Sequence, residues 1–249
     1  PVGKHLQKLA AENMIRCTME LGGHSPLMVF NDTDIEKAAK ISVAGKFRNA
    51  GQVCVSPTRF LVQDDIKDKF TQAVIRETNN IKVGNGLDDD TNMGPLIAER
   101  RIDVMNDFVK DAIDSGAKIE MGGNRMNRDG SFFSPTIMTD VDDSAKIMNE
   151  EPFGPLLPID TFKSVDEVID RANRLDFGLA SYAFTNDPKI VDNLRSEIQA
   201  GLLAVNSTVV STPETPFGGI KHSGYGSEGG VEGLEAFLVT RFVSETYNI

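Results

Sequence analysis

Residues 46–54 read KFRNAGQVC, and the rest of the chain is organised around this stretch. The segment before it is predicted to be a helix, because Asp34 can cap its start and apolar residues recur at helical spacing over residues 35–43. Gly51 is suited to the end of that helix. Cys54 then follows in a turn, where a thiol can face a pocket instead of a packed core. Only a thiolate is a useful nucleophile, so such a site must lower the thiol pKa or supply a base.

A second stretch, MELGG at residues 19–23, contains a candidate base. Glu20 stands at the end of an apolar run, before two glycines that let backbone and ligand approach closely. A Glu in apolar surroundings resists ionisation, so its pKa moves towards the working pH of a general base. A single Cys is usually a small buried hydrophobe. The combination of Cys54 with Glu20, each beside a glycine turn, is what predicts catalysis.

Composition and charge limit the class of protein. No apolar run reaches the roughly 18 residues that a membrane span needs. A net charge of −11 argues against nucleic acid or an anionic membrane as a partner, since both attract basic surfaces. Two cysteines do not make a disulfide framework, so a reducing, cytoplasmic compartment is expected. The acidic run at residues 88–90 lacks the glycine and the distal Glu of a calcium loop, so no metal site is predicted.

Strands that alternate with longer helices run along most of the chain. This alternation predicts an open, mostly parallel twisted α/β sheet with flanking helices. Helices are predicted at residues 4–14, 34–51, 65–80, 99–115, 165–175 and 189–199. Strands are predicted at residues 14–21, 27–30, 59–63, 118–121, 135–141, 156–162, 180–185 and 202–206. Cys17 falls inside the first of these strands and is predicted to be structural. A long loop at residues 211–230 and an edge strand at residues 237–244 complete the prediction.

Two further segments, EEPFGP at residues 150–155 and PFGGIKHSG at residues 216–224, join the first two in a set of four. In content and order this set resembles the aldehyde dehydrogenase superfamily, and the wider run FRNAGQ resembles the succinate-semialdehyde dehydrogenases in particular. Two positions depart from the common pattern, His24 after the paired glycines and Ser56 two residues after the cysteine. Neither removes a chemical group that the family mechanism needs. Ser56 does remove the second cysteine that gives some relatives a redox switch.

The resemblance implies a division of the chain. Family members are longer and begin with a dinucleotide-binding domain, so we expect this chain to be the C-terminal half of such an enzyme. Residues 1–22 would be a remnant of the dinucleotide-binding domain, residues 23–222 the catalytic thiol domain, and residues 223–249 a C-terminal arm with an oligomerisation strand. A homo-oligomer is therefore the expected assembly. A naturally short protein is the alternative.

The resemblance also implies roles for individual residues. Cys54 would attack the aldehyde carbon to form a thiohemiacetal, and Glu20 would activate the water that hydrolyses the resulting thioester. The cofactor, NAD or NADP, would contact Glu151, Phe153 and the carbonyl of Leu21, and its glycine-rich binding turn would end near Gly3. With most of the cofactor fold absent, we expect the chain by itself to bind neither nucleotide.

The substrate prediction depends on Arg48. In succinate-semialdehyde dehydrogenases an Arg at this position pairs with the distal carboxylate of the substrate, assisted by a loop serine that resembles Ser211, and Phe217 would line the aldehyde tunnel. Arg–carboxylate pairing is geometrically selective. The alternative is an ordinary surface ion pair for Arg48. Two other functions stay open: a cofactor-independent esterase that uses the same Cys54, and an inert fragment with an apolar face that promotes association.

Overall fold

The structure is a computed structural model that describes residues 1–248, and it contains seven α-helices and eleven strands in that range. The helices are α1 Val2–Glu12, α2 Ile35–Phe47, α3 Lys67–Thr78, α4 Arg100–Asp114, α5 Val165–Asn173, α6 Pro188–Glu197 and α7 Glu232–Glu235. The strands are β1 Met19–Glu20, β2 Ser25–Val29, β3 Pro57–Gln63, β4 Lys118–Met121, β5 Thr136–Thr139, β6 Leu156–Phe162, β7 Phe177–Gly178, β8 Ala180–Phe184, β9 Leu202–Val205, β10 Ile220–Lys221 and β11 Gly224–Tyr225.

Seven strands form one sheet in the order β4-β5-β6-β3-β2-β8-β9. Every neighbouring pair is parallel except β4 with β5 at one edge. The central strands β2 and β8 are buried along their whole length, as expected for a sheet covered on both faces. This confirms the predicted α/β fold class with its mostly parallel sheet and flanking helices.

Helix α2 leads to the cysteine loop and is built as the sequence predicts. Asp34 caps it by accepting a hydrogen bond from the N–H of Lys37 at 3.2 Å. The helix buries Ala39 and Val43 against the core and ends at Phe47, four residues earlier than predicted. A short 3-10 turn over residues 48–51 follows, so the chain leaves the helix axis before it reaches Cys54.

The site lies at the amino ends of the central parallel strands. Cys54 comes just before β3, His24 just before β2 and Glu151 just before β6. Ligands in open α/β sheets usually bind outside the carboxyl ends of the strands. In this chain the candidate residues converge at the amino ends of the strands instead.

The strand predicted at residues 14–21 is mostly wrong, and the edge strand at residues 237–244, whose expected partner is a neighbouring subunit, stays a prediction. Only Met19–Glu20 of the predicted strand at residues 14–21 is a strand, so Cys17 lies outside any element and is half-buried. Residues 237–244 form no strand, and apolar side chains such as Phe242 are exposed there. An extended segment becomes a strand only when another backbone pairs with it, and neither stretch has such a partner within residues 1–248 beyond the two residues of β1.

The expected division into three segments stays a prediction. Strand β1, in the first segment, pairs with β11 in the last, through Met19 with Tyr225 and Glu20 with Gly224. The two outer segments therefore share a two-stranded sheet next to the candidate base. Among the described residues, no helix is both long and apolar enough to cross a membrane.

Candidate active site

The loop that carries Cys54 has a strained backbone. Asn49, Ala50 and Gly51 have φ values of +52°, +54° and +70° in succession. Residues other than glycine adopt this left-handed conformation at a cost of about 1–3 kcal/mol each, and only where the surroundings hold them there. At Gly51 a side chain would also collide with the carbonyl group of Gly154. The EEPFGP segment therefore packs directly against the cysteine segment.

The Gln52 side chain holds this loop in place. Its amide nitrogen donates to the carbonyl oxygen of Asn49 at 3.1 Å and to that of Pro95 at 3.3 Å. Its amide oxygen accepts from the backbone N–H of Ile97 at 2.9 Å. These hydrogen bonds fix the strained turn to the segment before α4.

The MELGG segment meets the cysteine loop through its glycines. A Cβ atom on Gly23 would lie 2.9 Å from the carbonyl oxygen of Cys54, and a Cβ on Gly22 would lie 2.5 Å from a carboxylate oxygen of Glu151. The N–H of Gly23 also donates to Glu151 at 3.2 Å. Cys54 and Glu151 thus approach the same two glycines, which explains why no side chain is tolerated there.

The PFGGIKHSG segment closes the site from the other side. The Ser223 hydroxyl donates to the carbonyl of Gly22 at 2.8 Å and accepts from the N–H of Gly178 at 3.0 Å. A Cβ on Gly218 would lie 3.5 Å from a carboxylate oxygen of Glu20. All four sequence segments therefore converge on one place in the fold.

The half-buried thiol of Cys54 is not activated by a nearby cation. Burial raises its pKa, and the negative charges of Glu151 and Glu20 raise it further. From the sequence, the site could obtain a thiolate in two ways: through a lowered pKa of the thiol or through a nearby base. In this arrangement only a base can supply it.

Glu20 has the properties of such a base. Both of its carboxylate oxygens are shielded from solvent, and no side chain of the described residues donates a hydrogen bond to them. The backbone N–H of Gly219 lies close enough to lower the pKa of Glu20 slightly. Burial raises the pKa of Glu20 to about 7, and the negative charge of Glu228 contributes in the same direction. A carboxylate with this pKa exchanges protons near neutral pH.

Glu151 reaches the same pKa in different surroundings. Burial raises its pKa to about 7, and three groups oppose that shift: the N–H of Gly23 and the positive charges of Lys46 and Arg101. Its carboxylate thus faces two positive charges, whereas the carboxylate of Glu20 faces the negative charge of Glu228.

The side chain of Lys46 is fully buried, whereas that of Arg48, two residues later in the chain, is exposed. Burial lowers the pKa of Lys46 to about 7, and the charge of Glu151 opposes this shift. Its ammonium donates to the Ser56 hydroxyl at 3.5 Å, and no carboxylate oxygen of the described chain lies within 4.0 Å of it. A buried charge without a close counter-ion is costly, so its presence calls for a functional explanation.

Arg48 and Ser211 line one cavity of about 230 Å³, together with Val53 and Val55 on either side of Cys54. The Arg48 guanidinium forms no ion pair within residues 1–248, which argues against the alternative of an ordinary surface pair. Tyr182 stands behind this cavity, and its hydroxyl donates to the Val55 carbonyl at 2.6 Å. The charges of both Cys54 and Arg48 influence the pKa of the Tyr182 hydroxyl, so the two groups lie near it.

Phe153 and Phe217 occupy different neighbourhoods. Phe153 has φ +46° and is 38% exposed, and its carbonyl accepts from Arg101 at 3.3 Å. Phe217 exchanges two backbone hydrogen bonds of 2.7 Å with Glu228 and is absent from the lining of the Arg48 cavity. The tunnel role of Phe217 stays a prediction.

Gly3 and Leu21 lie together at the edge of the site. Gly3 is buried, and the Leu21 side chain leaves no room there for a Cβ atom. The N–H of Leu21 donates to the carbonyl of Ser223 at 3.1 Å. Of the residues predicted to contact the cofactor, Leu21 directly precedes the glycine pair, Glu151 contacts it and Gly3 packs against Leu21.

The two unusual positions, His24 and Ser56, are both buried. The His24 ring shares a 2.7 Å hydrogen bond with the Thr58 hydroxyl, which ties the start of β2 to the start of β3. Burial and the charges of Arg59 and Lys46 hold the pKa of His24 well below its usual range. Ser56 donates to the Lys46 carbonyl at 3.3 Å. Both residues therefore support the loop around Cys54.

Sequence reasoning missed Lys46, Tyr182 and Glu228. A signal existed for Lys46, because it follows Val43 by three residues on the apolar face of the helix. Tyr182 lies within a buried strand, and Glu228 comes near Glu20 only because its backbone pairs with Phe217. These two positions depend on tertiary contacts that no local pattern encodes.

Comparisons with known proteins agree with this geometry. The model of the aldehyde dehydrogenase family matches residues 1–243. The chain is 43% identical to the 4-(hydroxymethyl)benzenesulfonate dehydrogenase of Comamonas testosteroni over 243 residues, which is 98% of this chain and 50% of the relative. It is 38% identical to the NADP(+) succinate-semialdehyde dehydrogenase of Escherichia coli over 242 residues, or 97% of this chain and 50% of the relative. The chain thus spans about half the length of these curated relatives.

Solved structures give the same result. An NADP-dependent enzyme of Escherichia coli superposes with a TM-score of 0.93 at 39% identity, covering 95% of this chain and 49% of that one. The betaine aldehyde dehydrogenase of Staphylococcus aureus, solved in complex with NAD+, superposes with a TM-score of 0.91 at 40% identity, covering 96% of this chain and 48% of that one. With a family match over nearly its whole length and this agreement in fold, the chain belongs to the aldehyde dehydrogenase family.

Proposed function

We propose that this chain supplies the catalytic thiol half of an NAD(P)-dependent aldehyde dehydrogenase that oxidises a short aldehyde with an anionic far end, as in succinate semialdehyde. The observation that carries the proposal is the convergence of Cys54 with two carboxylates whose pKa values are both about 7. In a member of this family, a thiol beside a proton acceptor supports acyl transfer through sulfur.

The chain's own residues account for the covalent steps. Cys54 gives up its proton to Glu20, and its sulfur bonds to the aldehyde carbon, which leaves a negative charge on the former carbonyl oxygen. The backbone N–H of Cys54 would donate to that oxygen. After the carbon loses hydride, a thioester remains on Cys54. Glu20 passes the first proton to solvent and then takes a proton from water; the water oxygen bonds to the acyl carbon, the carbon–sulfur bond breaks, and the carboxylic acid and the Cys54 thiolate are released.

The group that accepts the hydride would be NAD+ or NADP+. Glu151, Phe153, the Leu21 carbonyl and Gly3 are the residues of this chain that would hold it. Two observations support this fit: the Glu151 carboxylate is positioned against the bare backbone of Gly22 and Gly23, and Phe153 is 38% exposed. Because the chain spans about half of its relatives, we expect it to show no saturable NAD+ binding on its own.

The anionic end of the substrate is assigned to Arg48 and Ser211. Arg48 lines the cavity beside Val53 and Val55 and has no counter-ion within the described chain. Relatives at 38–43% identity are named for succinate semialdehyde and for a benzenesulfonate, and both of these compounds are anions. An unpaired guanidinium in a cavity next to the nucleophile is suited to such a group.

A second function is proposed for the chain on its own. An activated ester carries its own leaving group, so Cys54 can form the same acyl thioester without a hydride acceptor. Water activated by Glu20 would then release the acid. The solvent-shielded carboxylate of Glu20 favours this cofactor-independent esterase activity.

The two cysteines of the chain provide a matched test. We expect Cys54→Ala to abolish hydrolysis of 4-nitrophenyl acetate by the chain, and to abolish NAD(P)+-dependent oxidation of succinate semialdehyde by the complete enzyme that contains it. Cys17→Ala, which changes the other half-buried cysteine, should retain both activities. Retained turnover in Cys54→Ala would refute the proposal, and a folded wild-type chain without ester turnover would leave the inert-fragment alternative for the chain alone.

A further inference from the structure

The cavity that contains Arg48 and Ser211 has another polar residue in its wall, Thr208. Thr208 is half-buried and follows β9 by three residues. No hydrogen bond joins its hydroxyl to another group of the described chain, and the same is true of the Ser211 hydroxyl and the Arg48 guanidinium. The cavity therefore presents three unpartnered polar side chains next to the residues that flank Cys54.

Helix α2 has a glycine, Gly45, at the point where it contacts Thr208. A Cβ on Gly45 would lie 2.9 Å from both the Cβ and the hydroxyl oxygen of Thr208, and 3.0 Å from its methyl group. A glycine inside a helix costs about 0.5–1 kcal/mol relative to alanine. Here the missing side chain lets Thr208 rest directly on the backbone of α2. Arg48 directly follows the end of α2 and lines the same cavity as Thr208.

We propose that Thr208 is a specificity-determining residue whose hydroxyl, together with Arg48 and Ser211, binds the anionic end of the substrate. This inference rests on the proposed function, because it assigns a further ligand to the same anion. Arg48 supplies the positive charge, while Thr208 and Ser211 supply hydroxyl donors from the loop that follows β9. Because Gly45 fixes the position of Thr208, its hydroxyl is pre-organised and loses little conformational freedom on binding.

The test uses succinate as the probe anion and measures how well it protects Cys54 from alkylation by iodoacetamide. This readout needs neither cofactor nor turnover. We expect Thr208→Val, which keeps the branched shape against Gly45 but removes the hydroxyl, to raise the half-protecting succinate concentration about tenfold or more, as for other hydrogen bonds to charged groups. Thr208→Ser should stay near the wild-type value. The matched control is Thr212→Val, since Thr212 bonds to Thr215 outside this cavity and should not change protection.

The outcomes separate the inference from the function on which it rests. Protection that is lost in Arg48→Ala but unchanged in Thr208→Val overturns the role of Thr208 and leaves the proposed function standing. If succinate does not protect Cys54 in the wild-type chain, the assignment of the anionic substrate fails, and the role of Thr208 fails with it. A loss of protection in Thr208→Ser with none in Thr208→Val would also overturn the proposal, because it would show that the shape of the side chain matters and its hydroxyl does not.

Discussion

The two carboxylates beside Cys54 have the same pKa for the same main reason, yet their surroundings are opposite. Burial raises the pKa of both Glu20 and Glu151 to about 7. Glu151 accepts a hydrogen bond from Gly23 and faces the positive charge of Lys46, whereas Glu20 faces the negative charge of Glu228 and only the backbone N–H of Gly219 opposes its pKa shift. A pKa value alone therefore does not assign a role. A carboxylate that faces positive charge is suited to binding, and one that faces negative charge is suited to accepting a proton.

The largest expected effect distinguishes these two carboxylates in ester hydrolysis. Glu20→Gln removes the proposed base, so release of the acyl group from Cys54 should slow about 100-fold or more. The first burst of 4-nitrophenolate should slow as well, because Glu20 is also the proposed acceptor of the Cys54 thiol proton. Glu151→Gln, the matched variant, should lower acyl release far less. Stopped-flow absorbance measures both phases, and comparable slowing in the two variants would refute the division of roles.

A smaller effect is expected at Ser223, whose hydroxyl hydrogen-bonds to the backbone of the MELGG segment. Ser223 bonds to the carbonyl of Gly22 and to the N–H of Gly178, and it is fully buried. Ser223→Ala leaves both backbone groups without this partner, which should lower the free energy of unfolding by about 1–3 kcal/mol. Urea denaturation measures the change. Ser144→Ala, at an exposed serine far along the chain, is the control and should change stability little.

Lys46 supplies one of the positive charges that distinguish the surroundings of Glu151 from those of Glu20. Lys46→Met removes a fully buried ammonium, which should stabilise the fold at pH 7 by about 1–4 kcal/mol. In Lys46→Met, Glu151 does not become a buried anion without a counter-ion, because its pKa of about 7 lets it take up a proton. The pKa of Lys46 is about 7 in the fold against a reference of 10.5, so the unfolded chain binds more protons between these values. Wild-type stability should therefore rise with pH across this window.

The difference between Lys46→Met and wild type should accordingly shrink as the pH approaches 10. Thermal unfolding at several pH values measures it. Lys40→Met, at an exposed lysine of the same helix, should show no such trend. A Lys46→Met variant that is destabilised at every pH would refute this prediction, because it would show that the attraction between Lys46 and Glu151 outweighs the cost of burying the ammonium.

Sequence reasoning reached the sheet and the cap of α2, because these depend on hydrophobic alternation and on a local capping residue. The four segments were linked only through the family resemblance, and no local pattern shows that they meet in the fold. Sequence reasoning also missed the contrast between the carboxylates. That contrast depends on Lys46, Arg101 and Glu228, which reach the site from three separate segments. It also misplaced the end of α2, since the left-handed conformation of Asn49 and Ala50 is imposed by tertiary packing against their intrinsic preference.

The smallest expected effect concerns the negative charge facing Glu20. Acyl release needs ionised Glu20, so its rate in the wild-type chain should rise with pH with a midpoint near 7. Glu228 disfavours ionisation of Glu20, so Glu228→Gln should move this midpoint to lower pH and speed acyl release at pH 6 by less than about tenfold. Because Glu228 is exposed, high salt should screen its charge and shift the wild-type midpoint in the same direction, with little further shift in Glu228→Gln. A midpoint that stays in place in both experiments would show that burial alone sets the pKa of Glu20, and the two carboxylates would then differ only through the groups that hold Glu151.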